Sequence, residues 1–406
     1  MNIGFFADCW EPQVNGVIIS MKNLQQGLAA HGDNVYQFAP AIWRHWQQST
    51  AVFKQFAVRY PFQKEFYMAS PLAYRAVSFA RRNKIEIAHG HTEFSLGLMA
   101  GSVAKRLSIP YVFTLHTIWK YYTHYLFWGL VPHSILIPIM RNFYQKPDYF
   151  IAPTIKMKAY LEEQFDIQVH TTVIPTGLDL DRFLTYDPPE EARRAFRRKY
   201  GIGPHDPVMI FVGRMGREKS IDELIDALPR LLAKHPALKL LLVGGGPCKH
   251  EFEVQANSLG VREAVVFTGY LPWENLPLAY KAADFFAIAS RTESQGLVTV
   301  EAQASGLPVI AAEDAANREI LGSEKNGLVF HNGDELIHAV DSLLSNPGLA
   351  RTLSERSRER SYFFTVKEYG ARVHAYYQWV REDYARKKTT TGRRRMGKET
   401  ATNGRR

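Results

Sequence analysis

Cysteine is scarce. The 406-residue chain has two, Cys9 and Cys248. That is too few for a disulfide framework or a cysteine zinc site, and it fits a reducing compartment. Long apolar runs are missing as well, for none reaches the ~18 residues a membrane helix needs. The nearest, 125–140, is broken by Pro132, His133, Ser134 and Pro138. The opening MNIGFFAD lacks a basic stretch and reads as a first strand, so no signal peptide is expected. No G-x-G-x-x-G follows a first strand. GGGP at 244–247 lacks that spacing, which disfavours a nicotinamide enzyme.

What is present is a long, evenly apolar chain with uneven charge. Its length suits two domains of roughly 180 residues. The net charge is +10. Counted by segment, residues 1–183 carry +5, residues 184–385 carry −3, and residues 386–406 carry +8. The last segment is polar and rich in Thr, Gly and Arg, so a disordered basic tail is expected over 389–406.

Both halves alternate strand and helix. In the first, strands are expected over 3–7, 35–39, 85–89, 111–115, 150–153 and 172–174. Val17, Met21, Leu24 and Leu28 mark one helix face, and a second helix covers 96–107. In the second, strands are expected over 208–212, 238–243, 265–267, 285–289, 309–311 and 327–330, with a helix over 221–232. This rhythm predicts two parallel, doubly wound sheets. The break falls in the Pro- and Gly-containing stretch 175–189. The expected division is a first domain over 1–183, a second over 184–364 and a long aromatic helix over 365–388.

Several stretches could carry chemistry. In 290–312, SRTESQGLVTVEAQASGLPVIAA, Glu293 falls in a loop at the carboxyl end of a strand. Glu301 lies about a turn into the next helix, which Gly296 opens and whose apolar face uses Leu297, Val300 and Ala304. That edge is where open α/β sheets bind ligands. Carboxylates accept paired hydrogen bonds from vicinal hydroxyls, although a capping or surface pair has the same spacing. In 212–219, VGRMGREK, a strand delivers Arg214 and Lys219 to the same kind of edge. Fixed cations there stabilise a departing diphosphate without a metal; a solvated loop is the plainer alternative. His116 ends a first-half strand, where a neutral imidazole can donate to a hydroxyl. Gly16 follows Asn15 where a helix begins, a place that favours a phosphate or simply makes a turn. Asp179-Leu180-Asp181 is a D-x-D, but Asp181 reads better as an N-cap or hinge residue. No cation site is expected.

Five of these stretches, in order, resemble the retaining glycosyltransferases of family 4. They are P-x-x-N-G-V at 12–17, HTIWKYYTHY at 116–125, IPTG at 174–177, G-R-x-x-x-x-K at 213–219 and E-x7-E at 293–301. The first two are closest to the family members that glucosylate diacylglycerol; Trp119 stands where those have Tyr. The resemblance implies the α/β GT-B fold, two Rossmann-like doubly wound parallel-sheet domains facing a cleft, with the last helix crossing back onto the first domain. It implies that Gly16, Arg214 and Lys219 hold the donor diphosphate, Glu293 and His116 the sugar, and Glu301 the ribose. Gly296 and Leu297 are then further donor contacts, and Gly269 and Tyr270 border the base. Asn15, Tyr121 and Tyr122 fall to the acceptor. The expected reaction moves a hexosyl group, glucosyl foremost, from a UDP-linked donor to a lipid hydroxyl, diacylglycerol foremost, with retention and without a cofactor or required metal. Phosphatidylinositol, a soluble sugar or a polysaccharide are alternative acceptors.

Two stretches suggest a surface role. Residues 119–146 interleave aromatics, among them Trp119, Trp128, Phe143 and Tyr144, with Lys120, Arg141 and Lys146. Residues 193–199 hold Arg193, Arg194, Arg197, Arg198 and Lys199. Aromatics among cations fit an anionic membrane surface, while core packing accounts for about half of such aromatics and the arginines also read as a solvated face; the expected location is cytoplasmic, peripheral on the inner face of the cell membrane. The same charge would suit a non-catalytic protein that binds an anionic polymer. No nucleic-acid recognition motif accompanies it.

Overall fold

Runs of buried aliphatic and aromatic residues form two sheets, one in each of two units. The computed structural model describes residues 1–11, 15–41, 50–59, 67–70, 72–117, 133–322 and 324–403, by backbone alone at 59, 133–135, 324 and 391–403. One unit comprises Met1–Gly177 with Val366–Arg406, and the other Leu178–Thr365.

The first sheet has β1 (Asn2–Phe6), β2 (Asn34–Ala41), β3 (Val52–Arg59), β4 (Tyr67–Ala69), β5 (Ile87–Gly90), β6 (Tyr111–Thr114), β7 (Tyr149–Ala152) and β8 (Thr171–Val173). Its order is β4-β3-β2-β1-β5-β6-β7-β8. Neighbours pair in parallel except β3 with β4, which are antiparallel. The sequence reading lacked β3 and β4. On β3, Phe56 and Val58 are exposed while Phe53 is buried, so the edge shows no clean apolar period.

The second sheet has β9 (Val208–Val212), β10 (Lys239–Val243), β11 (Val265–Gly269), β12 (Phe285–Ile288), β13 (Val309–Ala312) and β14 (Leu328–Phe330). Its order is β11-β10-β9-β12-β13-β14, all parallel. Every residue of β9, β12 and β13 is buried, as strands covered by helices on both faces must be. Chain order reverses between β1 and β5 in the first sheet and between β9 and β12 in the second. Loops leaving the carboxyl ends of those strands are where such sheets take ligands.

The division lies six residues before the one expected from sequence. Leu178, Leu180, Phe183 and Leu184 belong to the second unit's apolar core, where Phe183 meets Trp273 and Tyr280 edge to face. Gly177 stays with the first unit, its carbonyl accepting from Asn23 Nδ2 at 2.9 Å. Asp181 is not an N-cap: it is the first residue of the helix Asp181–Leu184, after Leu180.

The last helix, Val366–Asn403, packs onto the first unit. Tyr369, Val373, Tyr376, Tyr377 and Val380, at helical spacing, join a core with Ile3, Phe5, Met21 and Leu24. It meets the helix Gly16–Ala29 at Gly27 and Gly370, where a Cβ on Gly370 would lie 2.3 Å from Gly27 backbone carbon. Only glycine permits that approach. The helix continues past Thr389, so the tail is helical rather than unstructured to Asn403. No proline interrupts it, Lys and Arg favour helix, and Thr389 and Thr390 hydroxyls donate to carbonyls one turn back.

Candidate active site

In the second unit the loops after β9 and β12 lie side by side. The first is built on glycines. Gly244, after β10, has φ +132°, and a Cβ there would lie 2.0 Å from the Gly213 carbonyl oxygen. The Gly213 N–H donates to the Val243 carbonyl at 2.9 Å and the Met215 N–H to Gly245 at 2.8 Å. The Gly244 N–H in turn donates to the Gly269 carbonyl at 3.0 Å. GGGP thus serves as the floor beneath the Arg214 loop and ties in the Gly269 turn, a role its spacing did not reveal.

The second loop is stitched to the first. Ser290 and Thr292 hydroxyls donate to the Glu218 carbonyl at 3.1 and 3.0 Å. Arg291 holds Glu223 with both terminal guanidinium nitrogens. These contacts bring Lys219 Nζ to 2.7 Å from Glu293 Oε1. Glu293 is 8 % exposed, so this is a largely desolvated, charge-assisted pair between residues 74 apart in sequence. Arg214 lies beside Glu218, Nε to Oε1 at 3.4 Å.

Glu301 sits apart from that pair. It is buried in the helix Leu297–Ala304, and Tyr280 donates to its Oε2 at 2.9 Å. Burial pushes its carboxyl up to about 7, opposed by the tyrosine hydrogen bond. Gly296, at φ +73°, is the N-cap of that helix; Leu297 is partly buried and Tyr270 exposed. Tyr280, Ser290, Thr292 and Arg291 were missed by the sequence reading, because each acts through a partner brought near only by folding.

In the first unit, Asn15 caps the helix Gly16–Ala29, its Oδ1 accepting from the Ile18 N–H at 3.0 Å. That is a structural task for a residue expected at the acceptor. A Cβ on Gly16 would meet nothing within 4 Å among the described residues. Asp8, at the end of β1, is buried and accepts from Thr92 Oγ1 at 2.7 Å, from the Leu96 N–H at 3.1 Å and from the Ser95 hydroxyl. Burial holds its carboxyl above the ordinary range.

His116 stands two residues past β6, with Nε2 3.1 Å from His91 Nδ1. Burial lowers its pKa to about 4, so the ring is neutral. Tyr121 and Tyr122 lie outside the described residues, as do the aromatics at 119–128. Two surface expectations need correction. Phe143 and Tyr144 are buried in the first unit's core, because this face of the helix His133–Tyr144 packs on Phe113. Arg197 is buried, donating to carbonyls of Ala282, Pro204 and Asp206 and pairing with Asp284. Around it Arg194 pairs with Glu190 and Arg198 with Glu191. Arg197 is therefore structural, while Arg194, Arg198 and Lys199 remain on an exposed face. Among the described residues no group of three His, Cys, Asp or Glu is placed to hold a metal, and no helix is long and apolar enough to cross a membrane.

Comparison with known proteins agrees in both halves. The Glycosyltransferase Family 4 family matches residues 14–182, and Glycosyl transferases group 1 matches residues 192–360. An alpha-monoglucosyldiacylglycerol synthase from Streptococcus pneumoniae is 31% identical over 93% of this chain and 85% of that protein. One from Acholeplasma laidlawii is 31% identical over 92% and 95%. Among solved structures, Anabaena HepE in complex with UDP and glucose superposes with TM-score 0.67 at 18% identity, covering 92% of this chain and 98% of that one. Sucrose-phosphate synthase from Thermosynechococcus elongatus gives 0.68 at 21%, covering 93% and 98%. The two parallel-sheet units, the order of the motifs and these likenesses together place the chain: it belongs to the family 4 glycosyltransferases of GT-B fold.

Proposed function

We propose that this enzyme is a retaining hexosyltransferase that moves glucose from a UDP-linked donor to the free hydroxyl of diacylglycerol. The observation that carries the acceptor class is the 31% identity, over more than nine-tenths of the chain, to two proteins named for monoglucosyldiacylglycerol synthesis. Neighbours of the fold hold UDP and UDP-glucose, which supports the donor. In this reading Arg214 and Lys219 meet the diphosphate as it gains charge, with the helix start at Gly16 adding N–H donors. Glu293, beside Lys219, accepts from sugar hydroxyls and keeps that cation in place. Glu301 accepts from the ribose, and neutral His116 donates to the sugar. Front-face departure and attack, the phosphate oxygen taking the acceptor proton, accounts for retention without a carboxylate nucleophile.

A second reading keeps the chemistry and changes the acceptor. A GDP-mannose-dependent phosphatidylinositol monomannoside mannosyltransferase is 37% identical over 46% of this chain. Radiolabelled UDP-glucose and GDP-mannose, each offered with diacylglycerol, phosphatidylinositol or soluble sugars, separate the two. Label moving from UDP-glucose to diacylglycerol is the expected result, and transfer only to an inositol lipid or a free sugar would replace it.

Four further outcomes are expected. Transfer should continue in EDTA, because two side-chain cations and helix N-termini supply the positive charge at the leaving group; loss of activity restored by Mn²⁺ would contradict this. Glu301→Ala should raise the donor KM about 10-fold with little change in kcat, since ribose contacts alter little during reaction. The ionised Glu301 is the form that accepts both hydroxyls, and its pKa is about 7. Donor KM should therefore fall between about pH 6 and about pH 8, and Glu301→Gln should lose that slope. With a lipid acceptor, this reading takes the enzyme to be peripheral on the inner face of the membrane. Binding to liposomes should rise with anionic lipid and fall partly in high salt; indifference to anionic lipid would remove that location.

A further inference from the structure

Three histidine rings stand in a row at the carboxyl edge of the first sheet. Both nitrogens of His89, on β5, are occupied: Nδ1 lies 2.5 Å from the Tyr377 hydroxyl and Nε2 2.7 Å from Thr114 Oγ1. His91, just past β5, packs on His89 with centroids 4.1 Å apart, on Phe5 at 4.7 Å and on His116 at 5.4 Å. It is 1 % exposed. Its Nδ1 is 3.1 Å from His116 Nε2, and its own Nε2 finds no partner among the described residues.

We propose that His91 is a positioning residue that sets the tautomer of His116, donating from its Nδ1–H to His116 Nε2 so that His116 carries its proton on Nδ1 and presents that N–H to the substrate. The inference rests on the reading of His116 as a sugar contact. Between two neutral imidazoles only one of the facing nitrogens holds a proton. In the reverse arrangement His116 donates from Nε2, and the single proton of His91 moves to its own Nε2, a buried N–H with no acceptor among the described residues. In protein backbones orphaned buried N–H groups are rarer than under-satisfied acceptors, and the same preference applied to the imidazole favours the first arrangement. Neutrality follows from burial and the repulsion among the rings, which lower the pKa of His91 and His89 as well. His89 cannot shift to relieve His91, because Tyr377 and Thr114 hold both its nitrogens. A substrate hydroxyl then always meets a donor at His116, where a free imidazole would offer a mixture of two tautomers.

The test uses the full-length protein labelled with ¹⁵N-histidine. Ring ¹⁵N–¹H correlation spectra, with His116 assigned from its missing signals in His116→Gln, report which nitrogen is protonated. In the wild type His116 should be protonated on Nδ1. His91→Gln, whose amide reaches the place of Nε2 rather than Nδ1, should leave His116 a tautomer mixture and lower kcat about 10-fold to 100-fold with donor KM little changed. His91→Asn, whose amide occupies the place of Nδ1, should restore both. Protonation of His116 on Nε2 in the wild type overturns the proposal with no variant needed, as does an unchanged His116 tautomer in folded His91→Gln. His116→Ala with full transfer activity would instead remove the sugar-contact reading while leaving the wild-type tautomer to be read independently.

Discussion

Glu293→Gln is expected to lower kcat by about 10²-fold or more while the protein unfolds at nearly its wild-type temperature. The substitution keeps the volume and one carbonyl oxygen, so packing in the loop after β12 is conserved. It removes the charge that faces Lys219 Nζ at 2.7 Å. The ammonium then loses its fixed partner and its place. In the proposed reaction both residues act where charge develops, one on the sugar and one on the leaving diphosphate. Lys219→Ala should cost a similar factor, and the double variant little more than either single one, because the two act as a unit. Transfer assays with saturating donor, alongside thermal unfolding, check this. Near wild-type turnover in Glu293→Gln would remove the proposed site, and strictly multiplicative losses would remove the coupling.

The second large effect concerns folding. Gly244→Val should destabilise the second unit by roughly 3 kcal/mol or more, which for a unit of this size lowers its midpoint by about 10 °C. The backbone there has φ +132°, a region that residues with a branched Cβ do not occupy. The new Cβ would also meet the Gly213 carbonyl at 2.0 Å. The neighbour is backbone and cannot swing away. Relief requires parting the GGGP turn from the Arg214 loop, and with it the bonds from Gly213 to Val243 and from Met215 to Gly245. Activity should therefore fall even at temperatures where the protein stays folded. Gly245→Ala is the control, since a Cβ there meets nothing within 4 Å among the described residues. Equal midpoints for the two variants by circular dichroism would show that the close approach is not what demands glycine.

Much of this protein was decided by local patterns. The runs at 208–212, 285–288 and 309–312 are continuous, apolar and too short for helices, which reads as strands covered on both faces, and the structure buries every residue of them. The alternation of such runs with helices dictated two parallel sheets. Glu293, Arg214, Lys219 and His116, in segments that follow strands, and Glu301, in the next helix, were legible as candidates from their identities and spacing. What local pattern could not decide is which distant groups meet. Lys219 joins Glu293 and His91 joins His116 because parallel pairing sets β9 beside β12 and β5 beside β6, while Tyr280 joins Glu301 because the helices before and after β12 pack together. The same closure buried Arg197, Phe143 and Tyr144, which read as surface residues because cations and aromatics in a row look alike whether solvated or packed. It also drew Leu178 to Leu184 into the second core. Sequence spacing reports neighbours within a turn or a strand; burial and pairing belong to the folded chain, where the hydrophobic effect and hydrogen-bond satisfaction act on groups that the backbone has brought together from far apart.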